Sequence, residues 1–146
     1  MKIITCTHDR HAAEILAIFN EAIVTSTALF DYQPRTPAMM LAWFQAKAEG
    51  GFPVLGLEGA DGRLLGFASY GTFRAWPAYK YSVENSVYVA AEARGQGVGL
   101  LLIWHGLSAT ESTRPRKVPF ERTREHLLPA DLNFVVQHMF PFRNCL

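Results

Sequence analysis

The sequence is poor in cysteine, has no long apolar run and carries no excess of charge of either sign. Its two cysteines, Cys6 and Cys145, stand near opposite ends of 146 residues, which gives neither a disulfide framework nor the close spacing of a zinc site. The five histidines, His8, His11, His105, His126 and His138, show no ligand spacing either, so no metal is expected. Fourteen basic against thirteen acidic residues leave a net charge of +1, and no global field draws the chain to nucleic acid or anionic lipid. The apolar stretch Leu100–Trp104 falls far short of the about 20 residues that a membrane-spanning helix needs. The opening Met1-Lys2-Ile3-Ile4-Thr5-Cys6 lacks the apolar core of a signal peptide. These absences predict a soluble, cytoplasmic protein with no nucleic-acid or membrane partner. Apolar material, by contrast, is ample for one core: 49% of residues are hydrophobic, with 10 Phe, 5 Tyr and 3 Trp.

Up to about residue 104 the chain alternates helix and strand signals. Ile3 and Ile4 mark a short first strand. Asp9 is placed to cap a helix whose apolar residues, Ala12, Ile15, Leu16, Phe19, Ala22 and Ile23, recur at intervals that build one buried stripe. Thr36-Pro37 offers a cap followed by proline at the first helical position, and this second helix stops at Gly50-Gly51. Residues 53–57 read as a buried strand, Gly59 to Gly62 as a turn, and Arg63 to Phe73 as the returning strand, with Gly66 and Gly71 as points of bulging or close backbone approach. Arg74 to Tyr81, aromatic-rich and containing Pro77, reads as a loop. Val83 to Val89 is a third strand, with Val83, Asn85, Val87 and Val89 on one face and Glu84, Ser86 and Tyr88 on the other.

Beyond Trp104 the character changes. Ten of the eleven glycines precede Gly106, and none follows it. Trp104-His105-Gly106 is expected to interrupt the helix begun at Leu100, and Arg114 to Pro119 cannot be regular helix. Glu121 to Leu128 has a short-helix pattern, and Leu132 to Met139 fits a strand or a helical turn. The expected organisation is therefore a core over 1–103 and an atypical segment over 104–146.

Chemistry concentrates in Arg94-Gly95-Gln96-Gly97-Val98-Gly99, which follows a strand and opens into a helical run. Such a junction points backbone N–H groups and the positive end of a helix dipole at one place, a site suited to phosphate. Missing side chains let an anion approach the backbone closely. It is not a Walker loop, because no Gly-Lys-Ser/Thr follows, and its spacing differs from the dinucleotide fingerprint.

The order helix, helix, strand, strand, strand, then Arg-Gly-x-Gly-x-Gly resembles the GNAT superfamily of acyl-CoA-dependent N-acyltransferases. It is similar in particular to the phosphinothricin and methionine sulfoximine/sulfone acetyltransferase branch. Phe67-Ala68-Ser69-Tyr70-Gly71, Phe73-Arg74, Val83 to Val89 and Arg94 to Gly99 carry the likeness, with Ile18 to Ala22 and Trp43-Phe44 upstream. The resemblance implies an α/β fold, a mixed and mainly antiparallel central sheet with flanking helices. It also implies acetyl-CoA as co-substrate, transfer of its acetyl group to the amine of a small amino-acid-like substrate, and a homodimer. Within it, Val87, Tyr88 and Val89 match the strand that holds the pantetheine arm. Arg94, Gly95, Gln96, Gly97, Val98, Gly99 and Leu100 match the diphosphate cradle. Phe73, Arg74 and Ala75, with Glu84, Asn85 and Ser86, match the stretches that shape the amino-acid site, and Phe30 and Asp31 stand near its mouth. Glu84 is the candidate base, directly or through water. Arg74 has the planar fork that suits a substrate carboxylate.

The likeness fades after residue 103. Later motifs of the family do not follow, which predicts a C-terminal part altered by truncation or a shifted reading frame, and an exposed edge on the Val83–Val89 strand. A second functional reading stays open: a catalytically impaired remnant, or a non-catalytic interaction module.

Overall fold

Hydrophobic spacing sets the first layer. A computed structural model describes residues 1–26, 29, 31–72, 83–112 and 134–139. Strand β1 (Lys2–Thr5) leads into helix α1 (His8–Thr25), which buries Ile15, Ile18, Phe19 and Ala22 along the expected stripe. Its N-cap is Thr7, not Asp9. Asp9 lies one residue inside the first turn, where its carboxylate faces the positive end of the helix dipole. The backbone N–H of Thr7 donates to Nδ1 of buried His11 at 3.0 Å, so a histidine assigned no task in the sequence holds the start of the helix. Helix α2 (Pro37–Glu49) begins behind Thr36 with proline in its first turn. It gives way to Gly50 and to Gly51, whose φ of +65° suits glycine.

Among the described residues the strands form one five-stranded sheet in the order β1-β2-β3-β4-β5. Strands β2 (Val54–Glu58), β3 (Leu64–Thr72) and β4 (Val83–Val89) run antiparallel to their neighbours, while β5 (Phe134–Met139) pairs parallel with β4. The turn between β2 and β3 is closed by Gly59 N–H donating to the Arg63 carbonyl at 2.9 Å, with Gly62 at φ +80°.

The sheet presents two unlike faces. Toward α1 and α2, Phe67 and Tyr88 are opposed on β3 and β4 and stack at 5.3 Å, and Phe19 meets both edge-on at 4.9 Å. Toward helix α3 (Val98–Ser112) the sheet offers Gly66, Ala68 and Tyr70 on β3 against Val89, Val87 and Asn85 on β4. A Cβ at Gly66 would stand 2.7 Å from the Tyr88 carbonyl oxygen and 3.0 Å from Val98 Cγ1, so the close approach expected there is real.

Two expectations are corrected. Helix α3 is not interrupted at Trp104-His105-Gly106 but runs through them and across position 104. Gly106 is buried against the Tyr70 phenol, and a Cβ there would fall 1.5 Å from Tyr70 Oη. That glycine serves contact with the sheet rather than a helix stop. Nor is the β4 edge bare: β5 pairs with it from Val83↔Phe134 to Val87↔Met139, with a register shift at Asn85/Ser86 that leaves Gln137 as the extra residue. The Arg114–Pro119 break and the Glu121–Leu128 helix lie outside the described residues, as does Cys145.

Candidate active site

Strand β4 carries one group of candidate residues along its length and delivers the chain to the other. At its C-terminal end, Ala90 N–H donates to the Leu65 carbonyl at 2.9 Å and a single 3₁₀ turn, Ala91–Ala93, follows. Gly95 and Gly97 then adopt φ of +77° and +78°, the left-handed region that favours glycine, and a Cβ built on either meets nothing within 4 Å. The Gly97 carbonyl accepts the first bond of α3, from Leu101 N–H at 3.1 Å. The N–H groups of the first turn of α3 have no partner within the helix. Val98 is buried, a Cβ on Gly99 would meet the Val89 and Val87 side chains at 3.7 and 4.0 Å, and Leu100 and Gln96 are exposed. Gln96 Nε2 donates back to the Glu92 carbonyl at 2.9 Å.

Arg94 opens this loop but reaches inward. Its Nη2 pairs with the Glu21 carboxylate of α1, and its Nε donates to the Val89 carbonyl at 3.2 Å. The guanidinium therefore ties the loop to α1. Glu21 is 73 residues away in sequence, and no local pattern announces the pair.

Further back on β4, the alternation divides the expected substrate residues. Glu84 and Ser86 are half-buried on the α1–α2 face, whereas Asn85 is 1% exposed on the α3 face, opposite Tyr70. Among the described residues, Asn85 Oδ1 and Tyr70 Oη have no hydrogen-bond partner. Asn85 thus packs beneath α3, away from Glu84. Among the described residues the pairing of β5 reaches Val87, and Tyr88 and Val89 extend beyond it. The Tyr88 phenol is pushed up to about 12, first by burial, which keeps it neutral. Phe73, Arg74, Ala75 and Phe30 lie outside the described residues.

Residues not singled out from the sequence complete the α1–α2 side of this face. Lys47 of α2 donates from Nζ to the Tyr70 carbonyl at 2.5 Å and lies 5.5 Å from the Trp43 ring centre. Burial holds its ammonium below the ordinary lysine range, Glu84 works against that shift and Arg35 adds to it. Arg35 is itself engaged, bonded to Asp31 at 2.8 Å and stacked 4.1 Å over the Phe19 ring. The one signal for Lys47 in the sequence is its place four residues after Trp43, on the same side of α2. A cleft of about 260 Å³ between α1 and the β4–α3 connection, rimmed by Glu14, Glu21, Arg63 and Glu92, contains none of the expected site residues. No cluster of His, Cys, Asp or Glu among the described residues has the geometry to hold a metal ion.

With this geometry in view, known proteins supply a frame. The acetyltransferase (GNAT) family profile matches residues 15–128, from within α1 to well past position 103. The L-methionine sulfoximine/L-methionine sulfone acetyltransferase of Pseudomonas paraeruginosa is 43% identical over 89 residues, covering 61% of this chain and 52% of the relative. The chain thus spans about half the length of the curated relatives it matches. An acetyltransferase structure from Acinetobacter baylyi ADP1 superposes with a TM-score of 0.73 at 50% identity, over 76% of this chain and 63% of that one. A phosphinothricin acetyltransferase from Sinorhizobium meliloti, solved in complex with AcCoA, gives 0.72 at 25% identity, over 76% of this chain and 60% of that one. The profile covers more than half of the sequence, and the fold superposes on known acetyltransferases: the chain belongs to the acetyltransferase (GNAT) family.

Proposed function

We propose that the chain is an acetyl-CoA-dependent N-acetyltransferase acting on the amino group of a small amino-acid-like substrate, of the methionine sulfone/sulfoximine or phosphinothricin kind. One observation carries the reading: β4 bears the half-buried Glu84 near its start and runs at its end into the open left-handed glycines Gly95 and Gly97 at the head of α3. Val89 lies five residues along the strand from Glu84, about 17 Å at the usual rise, so the two stations lie along one rigid element.

The residues present fit the cofactor. A side chain at Gly95 or Gly97 would occupy the space beside the loop backbone, and N–H groups at the start of a 15-residue helix suit a diphosphate. When bound, acetyl-CoA supplies the activated acetyl thioester. The chain's own part begins with Gly95 to Gly99 seating the anion. Arg94, tied to Glu21, fixes that loop in place. The stretch Val87 to Val89, which begins at the last described β5 pair and runs past it, is the backbone edge along which an extended arm lies, and an N–H there stabilises charge developing on the carbonyl oxygen. Glu84 removes a proton from the substrate ammonium, directly or through water, so that the amine lone pair is available for attack. Alignment of the two reactants on one strand accounts for a large share of the rate.

Calorimetric titration of the purified chain with acetyl-CoA tests this. Saturable binding near one site per chain is expected, weakened at least tenfold in Gly97→Val, whose side chain crowds the loop in a backbone region that disfavours it. A folded chain that does not bind acetyl-CoA would instead support the non-catalytic reading.

A further inference from the structure

Helix α1 reaches the glycine loop through Glu21, and both oxygens of that carboxylate are in use. Oε2 accepts from Arg94 Nη2, and Oε1 accepts from the Thr25 hydroxyl, one turn along the helix, at 3.0 Å. Arg94 in turn donates from Nε to the Val89 carbonyl at 3.2 Å. Its side chain thus folds back over the Ala91–Ala93 turn and closes the stretch from Val89 to Arg94 into a ring. The chain leaves that ring directly into Gly95, at φ +77°. Helix α1 is itself fixed to the same end of β4: Phe19, two residues before Glu21, meets Tyr88, one residue before Val89, at 4.9 Å. Gln96 braces the loop against its own backbone, through the Glu92 carbonyl, whereas Glu21 ties it to a separate element. A carboxylate is an unexpected neighbour for a seat suited to diphosphate. Glu21 lines one cleft with Glu92 and Glu14, and on charge alone it opposes an incoming anion. Geometry accounts for it instead. A planar guanidinium offers Nη2 to the carboxylate and Nε to the carbonyl at once, a fork that a point cation lacks.

We propose that Glu21, acting through Arg94, is a positioning residue for the cofactor loop: it sets the direction in which Gly95 to Gly99 leave β4, and thereby the affinity for the diphosphate of acetyl-CoA. This rests on the reading of that loop as the diphosphate seat. A loop held in its binding shape loses less freedom on binding than one that the ligand must order. The side chains of Arg94 and Glu21 are 33% and 30% exposed, so water and salt screen their contact only in part. Thr25 holds the Glu21 carboxylate in the orientation that meets Arg94. Glu21 performs no bond-making step in this scheme.

Position and charge predict opposite signs. Glu21→Ala removes a negative charge from beside the seat, which alone would tighten anion binding, and removes the tie, which loosens it. In calorimetric titration Glu21→Ala should bind acetyl-CoA about tenfold more weakly, as loss of one charge-assisted contact implies. Glu21→Gln, whose amide oxygen still accepts from Nη2, should keep most of the affinity. Unchanged or tighter binding in Glu21→Ala would overturn the proposal. S-acetylpantetheine, which carries the acetyl thioester without the diphosphate, should bind Glu21→Ala and the native chain alike; an equal fall for it would mark a general packing role and overturn the proposal as well. Should Glu21→Ala not fold, Arg94→Lys carries the same test. It keeps the charge with one nitrogen where two are used, so its affinity should also fall, and an affinity kept by lysine would mean that charge alone matters. A readout independent of the ligand is the set of backbone amide resonances of Gly95, Gly97 and Gly99 in the ligand-free chain. These should move in Glu21→Ala and be largely restored in Glu21→Gln. If the native chain does not bind acetyl-CoA, the transferase reading fails and these resonances decide this one: moved, Glu21 positions the loop; unmoved, it does not.

Discussion

On the α1–α2 side of the sheet, Phe19, Trp43, Phe67 and Tyr88 meet ring to ring at 4.9–5.5 Å. Under α3 the same strands offer glycine, alanine and valine, and the helix comes down onto them through Val98, Gly99 and Gly106. The first side fills its volume with large side chains. The second brings backbones together. Aromatic contacts add about 0.5–1.5 kcal/mol each beyond the area they bury, so the first side tolerates loss of volume poorly. The second fails in the opposite sense, by gaining atoms, because little space separates helix from sheet. The difference also bears on chemistry: Glu84 and Lys47 stand where the aromatic layer gives way to half-buried surface, whereas the polar atoms beneath α3, Tyr70 Oη and Asn85 Oδ1, are sealed from solvent.

Three substitutions test this contrast. The largest effect is expected from Phe67→Ala, which removes a fully buried ring from the centre of the aromatic layer. It should cost about 3–5 kcal/mol in urea unfolding, and a cost below about 1 kcal/mol would mean the layer is not packed as described. Next comes Gly106→Ala, a gain of one methyl on the other side. Its Cβ would overlap Tyr70 Oη, and displacement of the ring should cost about 1–3 kcal/mol. The same change in a Tyr70→Phe background should cost less, and a double-mutant cycle reads the coupling. A cycle with no coupling would break the link between helix glycine and phenol.

Smallest is Tyr70→Phe alone, expected to alter stability at neutral pH by no more than about 1 kcal/mol, because the deleted hydroxyl has no hydrogen-bond partner among the described residues to lose. Its signature lies at high pH. Burial pushes the Tyr70 phenol from an ordinary 10.0 up to about 12. The unfolded chain therefore releases that proton near 10 while the folded chain keeps it to about 12, and stability falls as pH rises through this window. Tyr70→Phe should flatten that part of the decline, as followed by urea unfolding at stepped pH.

The elements were legible wherever a local period or a turn signal ran unopposed. The stripe from Ile15 to Ala22, the Thr36-Pro37 start, the alternation of Val83 to Val89 and the glycine loop all emerge where the sequence puts them. What escaped was whatever depends on contact between distant segments. Gly106 reads as a helix breaker because glycine costs about 1 kcal/mol in a helix interior, and only the Tyr70 phenol above it explains why glycine is kept. Arg94 reads as part of the anion loop, and its pairing with Glu21 of α1 has no signal in the sequence. Lys47 looks like an ordinary surface lysine on α2, since neither the Tyr70 carbonyl nor Glu84 is near it in sequence. The opposite facing of Asn85 and Glu84 was legible in the alternation of the strand, but the burial of Asn85 opposite Tyr70 beneath α3 was not.

The parallel pairing of β4 with β5 also has a consequence for the order in which the molecule is made. Strands β2, β3 and β4 pair antiparallel with their sequence neighbours inside one short stretch of chain, and β1 is made before all three; contacts between segments close in sequence form early. The partner of Val83 is Phe134, roughly fifty residues later, which at synthesis rates of about 5–20 residues per second is a delay of some seconds. During that interval one edge of β4 has been synthesised and its partner has not. The nascent chain therefore passes through a stage in which four strands can assemble while the outer edge of β4 is open to other chains emerging nearby. Crowded synthesis, more than the stability of the finished fold, sets the risk of mispairing at this strand.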